Sequence, residues 1–288
     1  MMKNKQMYVL YVLIAFMAVF TFTDLSISQL LYKPGTLYGA LFKVLGELPY
    51  FMVGLFSTSY LLITSSSENV LFRLLKKILL LFLLTRVSIH FAINIRHYMN
   101  LEFSDFWLIV LINVIIFLSF LVGLWISKRV AIETFTKLAL CGLIMCLASY
   151  ILINLLKNTF GRMRFREFKD MADYTRWYVI NSSALNDGFK SFPSGHTSGA
   201  SLILWFTLLP NALNLKVKSY VCHLIAWIWI LLTMFSRVVE GAHFVTDTTM
   251  SIIIIYITFM ISTHVLGLNK ENSSKHNYEF NERKVGNV

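Results

Sequence analysis

Long apolar runs constrain this chain more than any other feature. The hydrocarbon core of a bilayer is about 30 Å thick, which takes roughly 20 helical residues to cross. The runs at about 7–23, 48–66, 74–95, 106–127, 136–156, 195–210, 219–236 and 245–266 read as eight candidate spans on hydropathy. The expected fold is therefore an all-α, polytopic integral membrane helix bundle with about eight transmembrane helices. Composition agrees: 57% of the residues are hydrophobic and 14% are charged, where a soluble domain carries about a quarter charged. That excludes a soluble enzyme, a disordered chain and a disulfide-rich secreted domain. Cys141, Cys146 and Cys222 all sit inside apolar runs, so they read as small buried hydrophobes.

The first run follows Met1, Met2, Lys3, Asn4 and Lys5, a start that resembles a signal peptide. Phe20, Phe22 and Asp24 occupy the zone where a small-residue cleavage site would fall, so the run reads as a retained anchor helix. Leu25 to Glu47 mixes Tyr32, Lys33, Pro34, Tyr38 and Phe42, which suits a helix lying at the interface. From Leu268 to Val288 the chain is polar and aperiodic, as expected of a disordered cytoplasmic tail. The division expected is residues 1–135 for N-terminal membrane helices without an evident role, 136–267 for a catalytic helix bundle, and 268–288 for the tail.

Location matters more than total for the formal charge of +11. With the N-terminus in the cytoplasm, 14 Lys and Arg fall on the cytoplasmic side and 11 on the other, with Arg86 inside a span. Eight of those 11 cluster between residues 157 and 237, beside the polar motifs described next. Setting them aside leaves Lys33, Lys43 and Arg96 against the 14. The positive-inside rule then puts both termini in the cytoplasm and the cluster on the extracytoplasmic face of the cell membrane.

Three segments place polar groups at helix ends. Lys157 and Arg164 lie seven positions apart where a span leaves the membrane, two cations that suit a phosphate. Pro193, Ser194, Gly195 and His196 precede an apolar run, where proline fits a first helical turn and free N–H groups favour an anion. Ser236 and Arg237 are followed by five residues, then His243, then three more residues and Asp247. On a new helix, His243 and Asp247 would share a face, and the carboxylate could hold one imidazole nitrogen. Counting through eight spans puts all three segments on one side of the membrane, as a single site requires.

In order and spacing these residues resemble the three-part signature of the type 2 phosphatidic acid phosphatase superfamily, which also includes the vanadium haloperoxidases. The signature is K-x6-R-P, then P-S-G-H, then S-R-x5-H-x3-D, and Phe165 stands where the family has its proline. The resemblance implies His243 as the nucleophile that forms a phosphohistidine, Asp247 as the residue that orients it, and His196 as the general acid. It implies Lys157, Arg164, Arg237, Ser194 and the Gly195 N–H as ligands of the phosphoryl oxygens. Five such donors would take the place of a metal, so no metal and no cofactor is expected.

Other polar residues read more plainly. Arg162 and Arg166 flank Arg164 and read as solvated or lipid-headgroup contacts. Arg86 and His90, at i and i+4 within a span, read as a structural pair, and Glu240 reads as an ion partner of the basic loop. The aromatic residues of 165–192 read as interfacial anchors, with a lid over the headgroup as a second role. The expected function is a membrane phosphatase acting on a phosphomonoester or diphosphate of a lipid, with the bilayer and a phosphorylated lipid as its partners and no role for nucleic acid. A lipid phosphotransferase using the same site is the nearest alternative. A non-catalytic phospholipid transporter or flippase is the alternative from another class.

Overall fold

The computed structural model describes residues 2–99, 101–102, 104–128, 130–181, 186–213 and 215–268, and it contains no strand among them. Six long helices are α1 (Met2–Leu31), α3 (Leu48–Thr64), α4 (Val70–Tyr98), α5 (Asp105–Ser127), α6 (Ile132–Phe160) and, after a loop and a broken segment, α9 (Ser219–Val239). A seventh, α10 (Val245–Val265), closes the bundle, and the short α2 (Leu37–Leu45) leads into α3. Among the described residues seven helical segments are long and apolar enough to cross a membrane.

The expected span at 195–210 takes a different form. It starts as α7 (Gly195–Ser201), tightens into a 3-10 stretch at Leu202–Leu208 and finishes as α8 (Leu209–Ala212). Pro210 has no N–H to donate to the carbonyl four residues back, and the Leu209 N–H bonds the Phe206 carbonyl in the 3-10 pattern instead. The tighter winding lengthens the segment: at 1.5 Å per α residue and 2.0 Å per 3-10 residue it reaches about 30 Å. Eighteen residues thus cover the distance of a longer α-helix.

The interfacial helix expected over 25–47 is likewise divided. Residues 25–31 continue α1, and α2 starts at Thr36, whose hydroxyl accepts from the Gly39 N–H at 3.0 Å. The tail expected to be disordered lies, from residue 269, outside the described residues.

Polarity is arranged for lipid. Exposed apolar side chains such as Phe16, Leu79, Phe117, Trp125, Ile228 and Ile261 cover the outside, while Ser57, Thr58, Ser198, Ser201, Thr233 and Ser251 are buried. Small polar residues let helix backbones approach closely and hydrogen-bond across the interface. Here Ser149 of α6 meets Ser198 of α7 at 2.9 Å, Cys141 of α6 meets Ser262 of α10 at 3.2 Å, and Trp205 donates to the Leu138 carbonyl at 2.8 Å. α7 is thereby enclosed by α3, α6, α9 and α10, and α1 runs along α10. The polar motifs collect at the end of the bundle where α6 and α9 finish and α7 and α10 begin.

Candidate active site

Two left-handed glycines shape this end. Gly161, at φ +48°, stops α6 one turn after Lys157 and turns the chain into the segment that carries Arg162 and Arg164. Gly241, at φ +61°, makes the corresponding turn after α9. A side chain there would be strained in φ and would also run into Tyr32, 2.5 Å from the position of its Cβ. Behind that turn the Ala242 and His243 N–H groups both bond the Arg237 carbonyl, at 3.1 and 3.3 Å. Arg237 and His243 are therefore held in one compact loop.

The sequence spacing suggested that Asp247 holds His243 directly. The structure places that contact elsewhere. Helix α10 begins at Val245, so His243 lies two residues ahead of it and the helical i, i+4 relation does not apply. Asp247 occupies the first turn, and its Oδ2 turns back to accept from the Phe244 N–H at 2.8 Å and from the Ser191 hydroxyl at 2.5 Å. His243 Nδ1 instead pairs with the Ser191 carbonyl at 2.6 Å. A carbonyl can only accept, so Nδ1 carries the proton and Nε2 keeps its lone pair. Ser191 is itself fixed by its N–H bond to the Arg162 carbonyl at 3.0 Å, and so Asp247 reaches His243 through Ser191.

Arg162 also departs from expectation. It is 1% exposed and neither solvated nor at a headgroup. Its guanidinium donates to Asp247 Oδ1 at 2.6 Å, Asp24 Oδ2 at 2.7 Å, the Thr246 hydroxyl at 3.0 Å and the Thr175 carbonyl at 2.9 Å. The Phe244 ring lies 3.9 Å from its central carbon, in the range of a cation–π contact. Asp24 comes from the last third of α1 and also accepts from the Thr246 N–H and hydroxyl, at 2.9 and 2.6 Å. Burying a charge is costly unless it is paired and hydrogen-bonded, and here Arg162 pairs with both carboxylates while each carboxylate has Arg162 as its counter-ion.

Lys157 ends α6 with its ammonium beside the Pro-Ser-Gly-His segment: a Cβ on Gly195 would stand 3.3 Å from Lys157 Nζ. Ser194 caps α7, accepting from the Thr197 N–H at 3.3 Å and the Thr197 hydroxyl at 3.1 Å, which leaves its own proton for another acceptor. His196 packs 5.7 Å from the Tyr98 ring of α4. Arg237 is 3% exposed and donates to the Gly39 carbonyl at 2.6 Å and the Ser236 hydroxyl at 2.7 Å. Arg164 pairs with Asp187, at 3.0 Å to the carboxylate and 3.1 Å to the carbonyl. All the sequence-derived candidates thus meet at this end of the bundle, with Asp247 one layer behind the rest.

His243 is the member whose charge state the surroundings define most clearly. Burial, followed by the positive charges of Arg164 and Lys157, holds its imidazole well below the ordinary histidine range. It is therefore neutral at neutral pH, with its proton on Nδ1.

Phe165, in the position of the signature's proline, is buried and packs edge-on to Tyr32 and Phe244, at 5.2 and 6.0 Å between centroids. Phe168 and Tyr174 join the same cluster around Phe244, and Trp177 stacks on Phe192 while donating to the Thr21 hydroxyl at 3.0 Å. The loop aromatics expected at the interface therefore brace the His243 loop from inside, and Tyr178 is the one of the set that is well exposed.

Sequence reasoning missed three supporting residues: Asp24, Glu47 and Ser191. Asp24 carried a usable signal, since a carboxylate at the end of an apolar run of span length needs a partner. Ser191 acts largely through its backbone carbonyl, which leaves no mark in a residue pattern. Among known families, residues 138–271 match the model described as the PAP2 superfamily. No curated protein and no solved structure matches the chain.

Proposed function

We propose that this chain, whose residues 138–271 match the PAP2 superfamily model, is a membrane-embedded phosphatase that hydrolyses the phosphomonoester or diphosphate of a lipid through a phosphohistidine on His243. One observation carries the reading: His243 is tied down at Nδ1 by the Ser191 carbonyl, which leaves Nε2 unprotonated on a neutral ring acted on by the charges of Arg164 and Lys157. A binding site for phosphate needs the cations alone. A nucleophile of defined tautomer has a use only if a bond is made to it.

In the first step Nε2 attacks phosphorus, the bond to the lipid oxygen breaks, and His196 gives that oxygen its proton. In the second, water attacks the phosphoryl group, the bond to Nε2 breaks, and the water's proton returns to His196. Lys157, Arg164, Arg237, the Ser194 hydroxyl and the Gly195 N–H hold the three non-bridging oxygens, where the negative charge sits during transfer. These are cations and neutral donors, so the scheme needs neither metal nor cofactor. Asp247 fixes Ser191 and caps α10, and so keeps the His243 loop in register.

A site at the end of a bundle lets the lipid tail stay in the bilayer while its headgroup reacts. The charge bias of the loops supports the extracytoplasmic face for that end and the cytoplasm for both termini. There the enzyme would meet lipids already flipped or used at the outer surface, which fits recycling of a lipid carrier or remodelling of surface lipids. The test is phosphate release by the purified protein from a panel comprising phosphatidic acid, phosphatidylglycerophosphate and a polyprenyl diphosphate. Release from at least one, abolished by His243→Asn, is the expected result, and no release from any would refute the proposal.

A further inference from the structure

Glu47 is a largely buried acid at the heart of the site that the scheme above leaves without a task. It caps the start of α3, in the half of the chain that precedes the PAP2 segment. Its Oε2 accepts from Asn94 Nδ2 of α4 at 2.9 Å. Its Oε1 lies 3.8 Å from His196 Nδ1, with the two side chains 14% and 18% exposed. A Cβ on Gly195 would stand 3.9 Å from that same oxygen and 3.3 Å from Lys157 Nζ, so carboxylate, ammonium and imidazole crowd one point of backbone. His196 Nε2, on the far side of the ring, is buried and has no hydrogen-bond partner among the described residues.

This arrangement poses an electrostatic problem and contains its solution. A general acid must hold a proton until the lipid oxygen departs. His196 is faced by Lys157 from the end of α6, Arg164 from the segment after it, Arg237 from α9, His243 from the loop before α10, Tyr98 from α4 and the Lys43 backbone carbonyl from α2. Three cations in that set oppose a further positive charge on the ring. Glu47 is the carboxylate at ion-pair distance, and it meets Nδ1, the nitrogen opposite the buried Nε2. A carboxylate on one imidazole nitrogen fixes the ring's orientation and supports charge on it while the other nitrogen exchanges protons.

We infer that Glu47 is the positioning residue of the general acid: its carboxylate faces the Nδ1 proton of the His196 imidazolium and so keeps on Nε2 the second proton, which His196 passes to the departing lipid oxygen. The inference rests on the phosphatase reading above. The proton balance is that of the two steps already given: the proton leaves Nε2 with the lipid alcohol and is restored from the attacking water. Glu47 does not touch the phosphoryl group. It acts through His196, held in place by Asn94.

The experiment compares full-length wild type, Glu47→Gln, Asn94→Ala, His196→Asn and the Glu47→Gln/His196→Asn double variant in the same detergent micelles. Each is assayed on phosphatidic acid, whose alkoxide leaving group needs a proton, and on p-nitrophenyl phosphate, whose leaving group does not. Glu47→Gln should lower kcat on phosphatidic acid by about 10- to 100-fold, within the range that general acid catalysis contributes, and lower it by less than about threefold on the aryl ester. The alkaline limb of its pH–rate profile on the lipid should move to lower pH. Asn94→Ala should show the same pattern more weakly, which keeps the test open should Glu47→Gln fold poorly. The double variant should be no slower than His196→Asn alone, as expected for residues acting in series.

Equal losses on both substrates with an unmoved pH profile, or additive losses in the double variant, would overturn the assignment of Glu47 while leaving the phosphatase intact. A wild-type protein inactive on both substrates would overturn the phosphatase reading and this inference with it.

Discussion

Replacing Arg162 by methionine should be among the most damaging single changes available outside the reacting groups. The side chain is of similar length and apolar, so the perturbation is the loss of charge and of four hydrogen bonds of 2.6 to 3.0 Å. What remains is worse than a gap: Asp24 and Asp247, 1% and 0% exposed, lose their shared counter-ion while buried side by side. Breaking a buried ion pair from one side costs about 3–5 kcal/mol, because a charge is left uncompensated in a medium that solvates it poorly. Asp24→Asn is milder, since Arg162 keeps Asp247, and one charge-assisted hydrogen bond is worth about 1.5–3 kcal/mol. Combining Arg162→Met with Asp24→Leu removes one of the two stranded carboxylates and should recover part of the loss. Unfolding in mixed micelles, followed by tryptophan fluorescence, measures all three. If Arg162→Met unfolds within about 1 kcal/mol of wild type, or if adding Asp24→Leu deepens the loss, the triad does not carry the load argued from its burial.

Three further outcomes follow from the site. Activity should survive EDTA and be inhibited by vanadate, a mimic of five-coordinate phosphorus, because the phosphoryl ligands proposed are organic cations and neutral donors; loss on chelation that Mg²⁺ restores would contradict this. Folding stability should decline as pH falls through the ordinary histidine value of about 6.5, because the unfolded chain then binds a proton that native His243 refuses. His243→Asn should flatten that slope, and an unchanged slope would assign it to other groups. Finally, in a background without the three native cysteines, impermeant maleimide applied to intact cells should label Asn186→Cys, beside the site, and spare Ser66→Cys, in the connection between α3 and α4. The reverse pattern would move the site to the cytoplasmic face and change its lipid pool without altering the chemistry.

The helices and the motif residues were readable because their signals are local. An apolar run of span length has one economical solution in lipid, and Lys157, Arg164, Ser194, Gly195, His196, Arg237 and His243 sit at fixed offsets from the ends of such runs. Relations between distant residues could not be read in this way. Asp24 and Arg162 are 138 positions apart, and nothing in either neighbourhood names the other, so Arg162 looked like one more surface cation in a basic loop. Asp247 was misjudged for a narrower reason: its spacing from His243 is helical only if the helix includes both, and α10 starts two residues too late. The 3-10 stretch at Leu202–Leu208 was hidden by its own composition, since Leu, Ile, Trp and Phe suit either helix and Pro210 acts from beyond it. Glu47 fell at the end of the stretch read as an interfacial helix, and nothing local showed that it meets His196 in space.

The most direct test of the central claim is to stop turnover early and look for phosphorus on His243. Wild-type protein mixed with a radiolabelled lipid phosphate, quenched in alkali within milliseconds and digested, should yield a labelled peptide containing His243, with the acid lability of a phosphoramidate. His243→Asn should yield none, and His196→Asn should accumulate the label if slowed return of the proton delays hydrolysis. Label on any other residue, or undiminished phosphate release by His243→Asn, would contradict the account.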